Sequence, residues 1–467
     1  MDQPVKNSVG DEFRNAPLSD QRLIHRLMYI ATILGENPEK SIPDACPNWA
    51  TTKATYDFFK NDKVSPQAII APHRFNTIER MKQFSLVLCI QDSSALDFSS
   101  HKSTRGLGPY TTDEQTLGLI MHSVLAVSPE GIPLGLLYQN IWSRENYPTQ
   151  KRVQRRNLPI EAKESFKWLK AHAESLQDIP DSIQTVTICD READIYEFFE
   201  QAIQRKDHLL IRAVHNRRII GEYHLLLEQI IHLPEMGQCM VDIPRKPEQN
   251  LPPRQAKLSI QYCPVNVCAA HTKSKNPESV ALYAVYAREV ETPEGEDPIE
   301  WLLLTTVPVT NLAEAIQKIQ WYRERWKMER FHFALKSGCR IEELQLEMSD
   351  RLINAITLYS VIAWRLIWLT YQARVTPNQS CEIILETQEW QTLYCVVNKT
   401  KIPPDHPLTL QEAVLLIAKL GGFLGRKYDG NPGVKVLWRG LQKLNQGMLF
   451  FELARSLPFN PKDMGNE

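Results

Sequence analysis

The spacing of apolar residues divides the chain into a helical beginning, a strand-rich middle and a helical end. Over residues 1–80 apolar positions recur every three or four residues, as at Leu23, Leu27, Ile30 and Leu34. This period predicts amphipathic helices. Asn48 precedes the second such run and is a residue type that caps helix starts. We therefore predict a small helical domain at the amino end.

From Ser85 onward, short apolar runs rich in β-branched residues replace the helical period, which predicts strands. The predicted strands are Leu86–Ile90, Leu119–Val127, Ile132–Tyr138, Thr185–Cys189 and Leu209–Val214, and the predicted helices span 160–176 and 193–205. The order β-β-β-α-β-α-β is that of an RNase H-like fold. The basic run 144–156 predicts an exposed loop, which is either a nucleic-acid contact or simply solvated.

The next segment, residues 215–310, is rich in proline and strand-like runs and predicts an inserted β-rich subdomain. Asn311 is expected to cap a helix that continues to Gly338. Beyond Asp350 the pattern is helical again. The predicted organisation is therefore α/β, with a helical domain at 1–80, an RNase H-like domain at 81–350 and a helical domain at 351–467.

Composition limits the possible partners and compartments. The 467 residues carry a formal net charge of −1, so any nucleic-acid surface must come from local basic patches. Nine cysteines, an odd number without a CxxC pair, argue against a disulfide framework or a structural zinc. The amino terminus lacks an apolar segment, so no secretion signal is predicted. The apolar run 352–371 contains Asn354 and Arg365, which favours a buried helix over a membrane span.

Acidic residues follow two of the predicted strands. Asp92 and Asp190 each come at or just after the end of an apolar run, which would place them at the carboxyl edge of the sheet. One such aspartate is usually a turn or cap residue, and Asp97 and Asp194 are alternative candidates for the two positions. Together with Glu329, however, Asp92 and Asp190 form a set of three carboxylates. Such a set repels itself unless cations such as Mg²⁺ lie between its members.

Polar residues around Glu329 share one face of the predicted helix. Tyr322, Arg325, Glu329 and Lys336 fall within about 60° of one another on an ideal helix. Large apolar residues flank this stripe on both sides, which favours a polar seam in a cleft. The alternative is an ordinary amphipathic helix with a surface ion pair between Arg325 and Glu329.

The pattern Tyr-x2-Arg-x3-Glu-x6-Lys closely resembles the signature of one branch of bacterial insertion-sequence transposases, of the Asp-Asp-Glu class. The segment at Asp92 resembles the first catalytic segment of this family. Cys189-Asp190-Arg191-Glu192-Ala193-Asp194 resembles the second. The long interval before Glu329 is where the family inserts its β-rich subdomain. The resemblance covers most of residues 18–450.

The resemblance implies a cut-and-paste DNA transposase in the bacterial cytoplasm, without a membrane association. Asp92, Asp190 and Glu329 would hold two Mg²⁺ ions, for which Mn²⁺ could substitute. Water would nick one strand at the transposon end, the freed 3′-hydroxyl would form a hairpin, and strand transfer to target DNA would follow. The domain at 1–80 would bind the double-stranded ends, and that at 351–467 would form a homodimer.

The resemblance also implies a second set of residues that contact DNA. Tyr322, Arg325 and Lys336 would bind backbone phosphates, and Arg212 is a further candidate for contact with the ends. Trp301 could stack on an extruded base, although an indole at a strand edge is as often part of the core.

Two rival functions remain open at this stage. One is a metal-dependent nuclease of the same fold that cuts DNA without joining it. The other is a DNA-binding regulator of transposition without catalytic activity.

Overall fold

The structure, a computed structural model, describes residues 9–113, 115–145, 158–243, 254–269, 278–426 and 430–456. Within these ranges, eleven strands form one mixed sheet, with helices before, between and after them. The predicted mixture of α and β structure is therefore confirmed. Most of the basic run 144–156 lies outside the described residues.

The amino-terminal region is helical, as predicted. After a 3₁₀ helix, Val9–Phe13, come α1 (Gln21–Glu36), α2 (Ile42–Ala45), α3 (Trp49–Lys60) and α4 (Pro66–Met81). The Asn48 side chain accepts a hydrogen bond from the Thr51 amide at 2.9 Å, which confirms it as the cap of α3. Leu27, Ile30 and Leu34 are fully buried, which explains the period of α1.

The first half of the sheet follows the predicted element order, apart from one extra two-residue strand. Its elements are β1 (Leu86–Asp97), β2 (Gly108–Pro109), β3 (Leu117–Val127), β4 (Pro133–Trp142), α5 (Phe166–Ser175), β5 (Gln184–Cys189), α6 (Tyr196–Arg205) and β6 (His208–Arg212). Strand β3 pairs antiparallel with β1, β2 and β4. Strands β1, β5 and β6 are parallel neighbours, so their carboxyl ends lie at one edge.

The segment after β6 continues the same sheet. It contains β7 (Ile219–Ile220), α7 (Leu226–Ile231), β8 (Gly237–Ile243), β9 (Arg254–Cys268), β10 (Ser279–Glu289) and β11 (Glu300–Thr305). Strand β11 pairs with β6 on one side and with β10 on the other, and β10 pairs with β9. The inserted strands thus extend the sheet outward from β6.

The remaining elements are helical. They are α8 (Leu312–Arg323), α9 (Trp326–Phe333), a π turn (Ala334–Gly338), α10 (Ser349–Val375), α11 (Thr387–Asn398), α12 (Leu410–Leu420) and α13 (Val434–Ser456). Asn311 caps α8, as predicted. The expected continuous helix to Gly338 is wrong. The amides of Glu324 and Arg325 bond to carbonyls three residues back, and this tighter turn separates α8 from α9.

Helix α10 forms the centre of the core. In the described part of the chain it alone is long and apolar enough to cross a membrane, yet 89% of its most apolar window is buried. It packs against β4, α4, α1 and α3. The indole of Trp364 donates to the Pro133 carbonyl at 2.9 Å, which joins α10 to β4.

The sheet is covered on both faces, and alternate residues face opposite cores. Ile188, Leu210 and Leu303 belong to the core that also contains α4, α9 and α10. Cys189 and Leu209 belong to the core formed with α5 and α6. Because side chains alternate, residues two positions beyond Ile188 and Leu210 point towards the face that carries α9.

A buried ion pair joins the amino-terminal segment to the sheet. The Glu12 carboxylate, 6% exposed, contacts Arg80 Nη1 at 2.8 Å and His73 Nδ1 at 2.7 Å. His73 Nε2 accepts from the Leu136 amide, so the proton lies on Nδ1. Burial lowers the pKa of His73, so the ring is neutral at pH 7. The charge of Glu12 is therefore balanced by Arg80, which also stacks on Trp364.

We predict that Glu12→Gln destabilises the protein by about 3 kcal/mol at pH 7, because Arg80 loses its buried counter-charge. Burial alone would raise the pKa of Glu12, but Arg80 and then His73 lower it overall. A lowered folded pKa stabilises the protein above the unfolded value near 4.5 and less so below it. The difference between wild type and variant in chemical denaturation should therefore shrink by about 1.4 kcal/mol per pH unit below that value.

The matched control is Glu222→Gln on the exposed surface, which should leave stability unchanged. The assigned role of the Glu12 carboxylate would be contradicted if wild type and Glu12→Gln differed in free energy of unfolding by the same amount at pH 7 and at acid pH.

Candidate functional site

The parallel pairing of β1 and β5 brings two aspartates side by side. Residues of β1 pair with residues 98 positions later, as Leu86 with Gln184 and Ile90 with Ile188. Asp190 follows Asp92 by the same 98 positions, so continuation of this register sets the two acids opposite each other. Both side chains lie on the face that carries α9, just beyond the last paired residues of β1 and β5. Asp190 follows the end of β5, as predicted. The predicted strand end before Asp92 is wrong, because β1 continues to Asp97 in its pairing with β3.

Tyr322, at the carboxyl end of α8, contacts the second of these acids. Its hydroxyl donates to Asp190 Oδ1 at 3.0 Å, and its side chain is 3% exposed. Burial alone would raise the pKa of Asp190. The charge of Arg325, followed by the Arg191 amide and the Tyr322 hydroxyl, outweighs burial and lowers this pKa overall. Asp190 is therefore held as a carboxylate.

Arg325 lies between the first aspartate and the glutamate. Its Nη2 contacts Glu329 Oε1 at 2.7 Å, and its Nη1 lies 3.7 Å from Asp92 Oδ2. The arginine side chain is 11% exposed, whereas that of Glu329 is 54% exposed. The tight turn between α8 and α9 carries Arg325, and the first turns of α9 carry Glu329. Elements distant in sequence therefore bring all three acids into one charged cluster.

The electrostatic balance differs between the acids. Burial raises the pKa of Asp92 to about 6, with smaller contributions from the charges of Asp190 and Glu329. Arg325 and the Ser93 amide, which donates to Asp92 Oδ1 at 2.8 Å, oppose this rise. Burial disfavours the charge of Arg325, but Tyr322 and the surrounding acids raise its pKa overall. A single guanidinium thus compensates several neighbouring carboxylates.

The other predicted contact residues lie around this cluster rather than in it. Lys336, in the π turn, donates to the Ala95 carbonyl at 2.9 Å and pairs with Glu342 at 3.0 Å. Ala95 is three residues beyond Asp92 on β1, or about 10 Å along the strand. The extra residue of the π turn and the tight turn before α9 alter the single stripe expected for one ideal helix.

Arg212 lies on β6 and Trp301 on the neighbouring strand β11. Both side chains point to the face of the sheet that carries Asp190. The Arg212 guanidinium donates to the Glu300 carbonyl at 2.9 Å, and its charge contributes to the lowered pKa of Asp190. Trp301 is 6% exposed and packs edge-on against Tyr322 and Trp326. In this structure its indole is part of the core and supports the helix turn that carries the polar residues.

The competing aspartates are engaged elsewhere. Asp194 is 4% exposed and pairs with Arg217, and it also accepts from the amides of Val214 and His215. Asp97 accepts from Ser99 at the far end of β1. Five residues beyond Asp92, it points to the opposite side of the strand. These contacts favour Asp92 and Asp190 as members of the cluster.

The donor chemistry of the cluster suits a hard divalent cation, since all three side chains offer carboxylate oxygens. Across the described ranges, however, no three His, Cys, Asp or Glu side chains are grouped closely enough to hold a metal ion. The Arg325 guanidinium lies between Asp92 and Glu329 and contacts one oxygen of each.

Neither the hydrogen bonds of His122 nor the exposure of Trp49 was predicted from the sequence. Behind Asp92, the buried ring of His122 contacts Ser93 Oγ at 2.8 Å and Gln91 Oε1 at 3.2 Å, which ties β3 to the two residues that flank the acid. On α3, the indole of Trp49 is 75% exposed, on the face that also presents Lys53 and Lys60. The pairing of β1 with β3 was needed to find the first feature, and the packing of α3 was needed for the second.

Comparison with known proteins connects both ends of the chain to transposition. Residues 6–64 match the family described as transposase DNA-binding, and residues 361–458 match the Tn5 transposase dimerisation domain. Neither match extends over the middle of the chain, where the acids lie. The two matches indicate a transposase of the Tn5 type and support a DNA transposase as the function of this chain.

One solved structure matches over most of this chain. It is the cryo-EM structure of the piggyBac transposase synaptic complex with hairpin DNA, with 9% identity, 95% of this chain and 74% of that chain covered, and a TM-score of 0.37. A TM-score this low does not establish a common fold.

We predict that Tyr322 and Asp190 are energetically coupled. In a double-mutant cycle of Tyr322→Phe and Asp190→Asn, the coupling free energy of unfolding should be about 1–2 kcal/mol, because a hydroxyl donates to a partly exposed carboxylate. Urea denaturation of the four proteins measures this value. Tyr29→Phe combined with Asp190→Asn is the control and should give no coupling. A coupling near zero for Tyr322 would contradict the assigned hydrogen bond.

Proposed function

We propose that this chain catalyses metal-dependent phosphodiester hydrolysis and transesterification at the ends of a transposable DNA element. The observation that carries the proposal is the register of β1 and β5, which sets Asp92 opposite Asp190. Around this pair stand Tyr322, Arg325 and Glu329, contributed by α8, α9 and the turn between them. The transposase matches at both ends of the chain support the same function.

We infer that the central domain has an RNase H-like core. Its support is the strand order β4-β3-β1-β5-β6. Strands β1, β5 and β6 are parallel to one another, and β3 is antiparallel to its neighbours β4 and β1. This order agrees with the β-β-β-α-β-α-β sequence of elements. The strands of 215–310 continue this sheet beyond β6, so the insertion lies next to the proposed site.

Asp92, Asp190 and Glu329 would hold the divalent cations, Mg²⁺ or Mn²⁺. Such ions would supply charge stabilisation for the attacking and leaving oxygens of an in-line phosphoryl transfer. Tyr322 orients Asp190 through its hydroxyl, and the Ser93 amide orients Asp92. Arg325, Lys336 and Arg212 offer cationic groups to backbone phosphates at this edge of the sheet.

The order of chemical steps rests on the resemblance of the helix signature to the hairpin-forming branch. A first nick would release a 3′-hydroxyl, which would attack the opposite strand, and the reopened end would join target DNA. Denaturing electrophoresis of a singly labelled end separates these products, because a hairpin joins two strands into one longer strand. Joining of pre-cut ends to a plasmid distinguishes transposition from simple nuclease activity.

DNA and a second copy of the chain are the proposed partners. The amino-terminal match supports DNA binding through residues 6–64, and the carboxyl-terminal match supports a homodimer through residues 361–458. Within the first region, the exposed face of α3 combines an indole with lysines, which suits a groove lined by phosphates. The chain would act in the cytoplasm, where the DNA lies.

We predict that Glu329→Gln lowers DNA cleavage by several orders of magnitude and leaves end binding intact. The amide keeps the volume of the side chain but removes the negative charge that a divalent ion requires. Cleavage of a labelled duplex in Mg²⁺ and a mobility-shift assay measure the two effects. Glu343→Gln, on an exposed glutamate paired with Arg340, is the control. Full cleavage by Glu329→Gln would refute the metal assignment.

We predict that Lys53→Ala weakens DNA binding through the loss of one phosphate contact. The slope of log affinity against log salt should decrease by about 0.9. Fluorescence anisotropy over a salt series measures this slope. Lys170→Ala, on α5 at the other face of the sheet, should leave the slope unchanged. Identical slopes for both variants and wild type would exclude the α3 face from the DNA interface.

A further inference from the structure

Arg325 holds a place that is unusual for a residue expected to bind DNA. Its two terminal nitrogens face two of the three acids, at 2.7 Å from Glu329 Oε1 and 3.7 Å from Asp92 Oδ2. The third nitrogen, Nε, is buried and has no hydrogen-bond partner among the described residues. The side chain is thus occupied by acids yet retains one donor for a further acceptor.

The carboxylate oxygens that Arg325 contacts are those that a divalent ion would need. A guanidinium cannot lose its proton at neutral pH, so its charge remains wherever the side chain lies. A second cation placed between Asp92 and Glu329 would meet this charge at close range. Metal and guanidinium therefore compete for the same oxygens, and occupancy by one disfavours occupancy by the other.

The surroundings allow Arg325 to leave. Its pair with Glu329 spans one helical turn, and the glutamate side chain is 54% exposed, so water weakens this contact. The aromatic ring of Tyr322 lies 5.9 Å from the guanidinium carbon and gives the cation a second, uncharged contact besides the acids. The planar fork of arginine can donate to the two non-bridging oxygens of a backbone phosphate, as it does to the two oxygens of a carboxylate.

We propose that Arg325 is an internal counter-cation that keeps the three acids from binding metal in the DNA-free protein. A phosphate of bound DNA draws the guanidinium away and so frees the oxygens of Asp92 and Glu329. Metal and DNA then bind cooperatively, and each raises the affinity for the other by the same factor. This inference rests on the proposed function, because it takes the three acids to be the metal ligands.

The test is the affinity of the full-length protein for Mn²⁺, measured by electron paramagnetic resonance of the free ion at pH 8. Without DNA, Arg325→Gln should bind Mn²⁺ at least about tenfold more tightly than wild type, since a nearby positive charge is removed. Arg325→Lys keeps the positive charge but lacks the forked guanidinium, so its Mn²⁺ affinity should lie between those of wild type and Arg325→Gln. Arg323→Gln is the matched control, because Arg323 contacts Asp242 and Glu324 instead of the acids.

The second arm repeats the measurement with a saturating generic DNA duplex at low salt. Wild type should gain at least about tenfold in Mn²⁺ affinity, whereas Arg325→Gln should gain much less. Equal Mn²⁺ affinities of wild type and Arg325→Gln without DNA would overturn the proposal. A wild-type affinity unchanged by DNA would overturn the release by phosphate.

Asp92→Asn and Asp190→Asn separate this inference from the proposed function. These variants are compared with wild type in the presence of DNA. If both bind Mn²⁺ as well as wild type does, and wild type does not cleave DNA, the acids are not the metal site and the proposed function fails. If both lose Mn²⁺ while Arg325→Gln behaves as wild type, the metal site stands and only the counter-cation role is refuted. Circular dichroism of each variant verifies that the fold is retained.

Discussion

The proximity of two like charges at the edge of a parallel strand pair is the constraint on which the site depends. Because β1 and β5 pair with a constant offset, Asp92 and Asp190 meet wherever the sheet forms. Their repulsion must be balanced, since the low polarity of the surroundings strengthens it. The structure meets this requirement with one arginine, one phenol and two backbone amides.

The turn between α8 and α9 follows from this requirement. In a single straight helix, Tyr322, Arg325 and Glu329 would share one face and point in similar directions. The tight turn at Glu324 and Arg325 lets Tyr322 reach Asp190 while Arg325 reaches Asp92. Trp301 and Trp326 pack against each other beneath this turn, and Trp301 also packs against Tyr322. The apolar core therefore sets the direction of the polar groups, which the helical period alone does not determine.

The helical ends of the chain are joined to the same core. Glu12 and Arg80 connect the amino-terminal segment to β4, and Trp364 connects α10 to both. The carboxyl-terminal helices continue from α10. Regions that match DNA-binding and dimerisation domains are thus connected, through α4 and α10, to the sheet that carries the acids. Such contacts provide a physical route by which binding at either end of the chain can influence the site.

Local patterns in the sequence were sufficient for the order of elements, the caps at Asn48 and Asn311, and the strand end before Asp190. These features depend on period, capping chemistry and strand ends, which neighbouring residues largely determine. The continuation of β1 past Asp92 depends on its pairing with β3, which no local pattern encodes. Glu329 and its partners were identified by their spacing, which resembles a known signature. Tertiary packing decided the rest: the break at Arg325, the burial of Trp301, and the engagement of Asp194 by Arg217. Each of these depends on residues far apart in the chain, whose contacts no local period encodes.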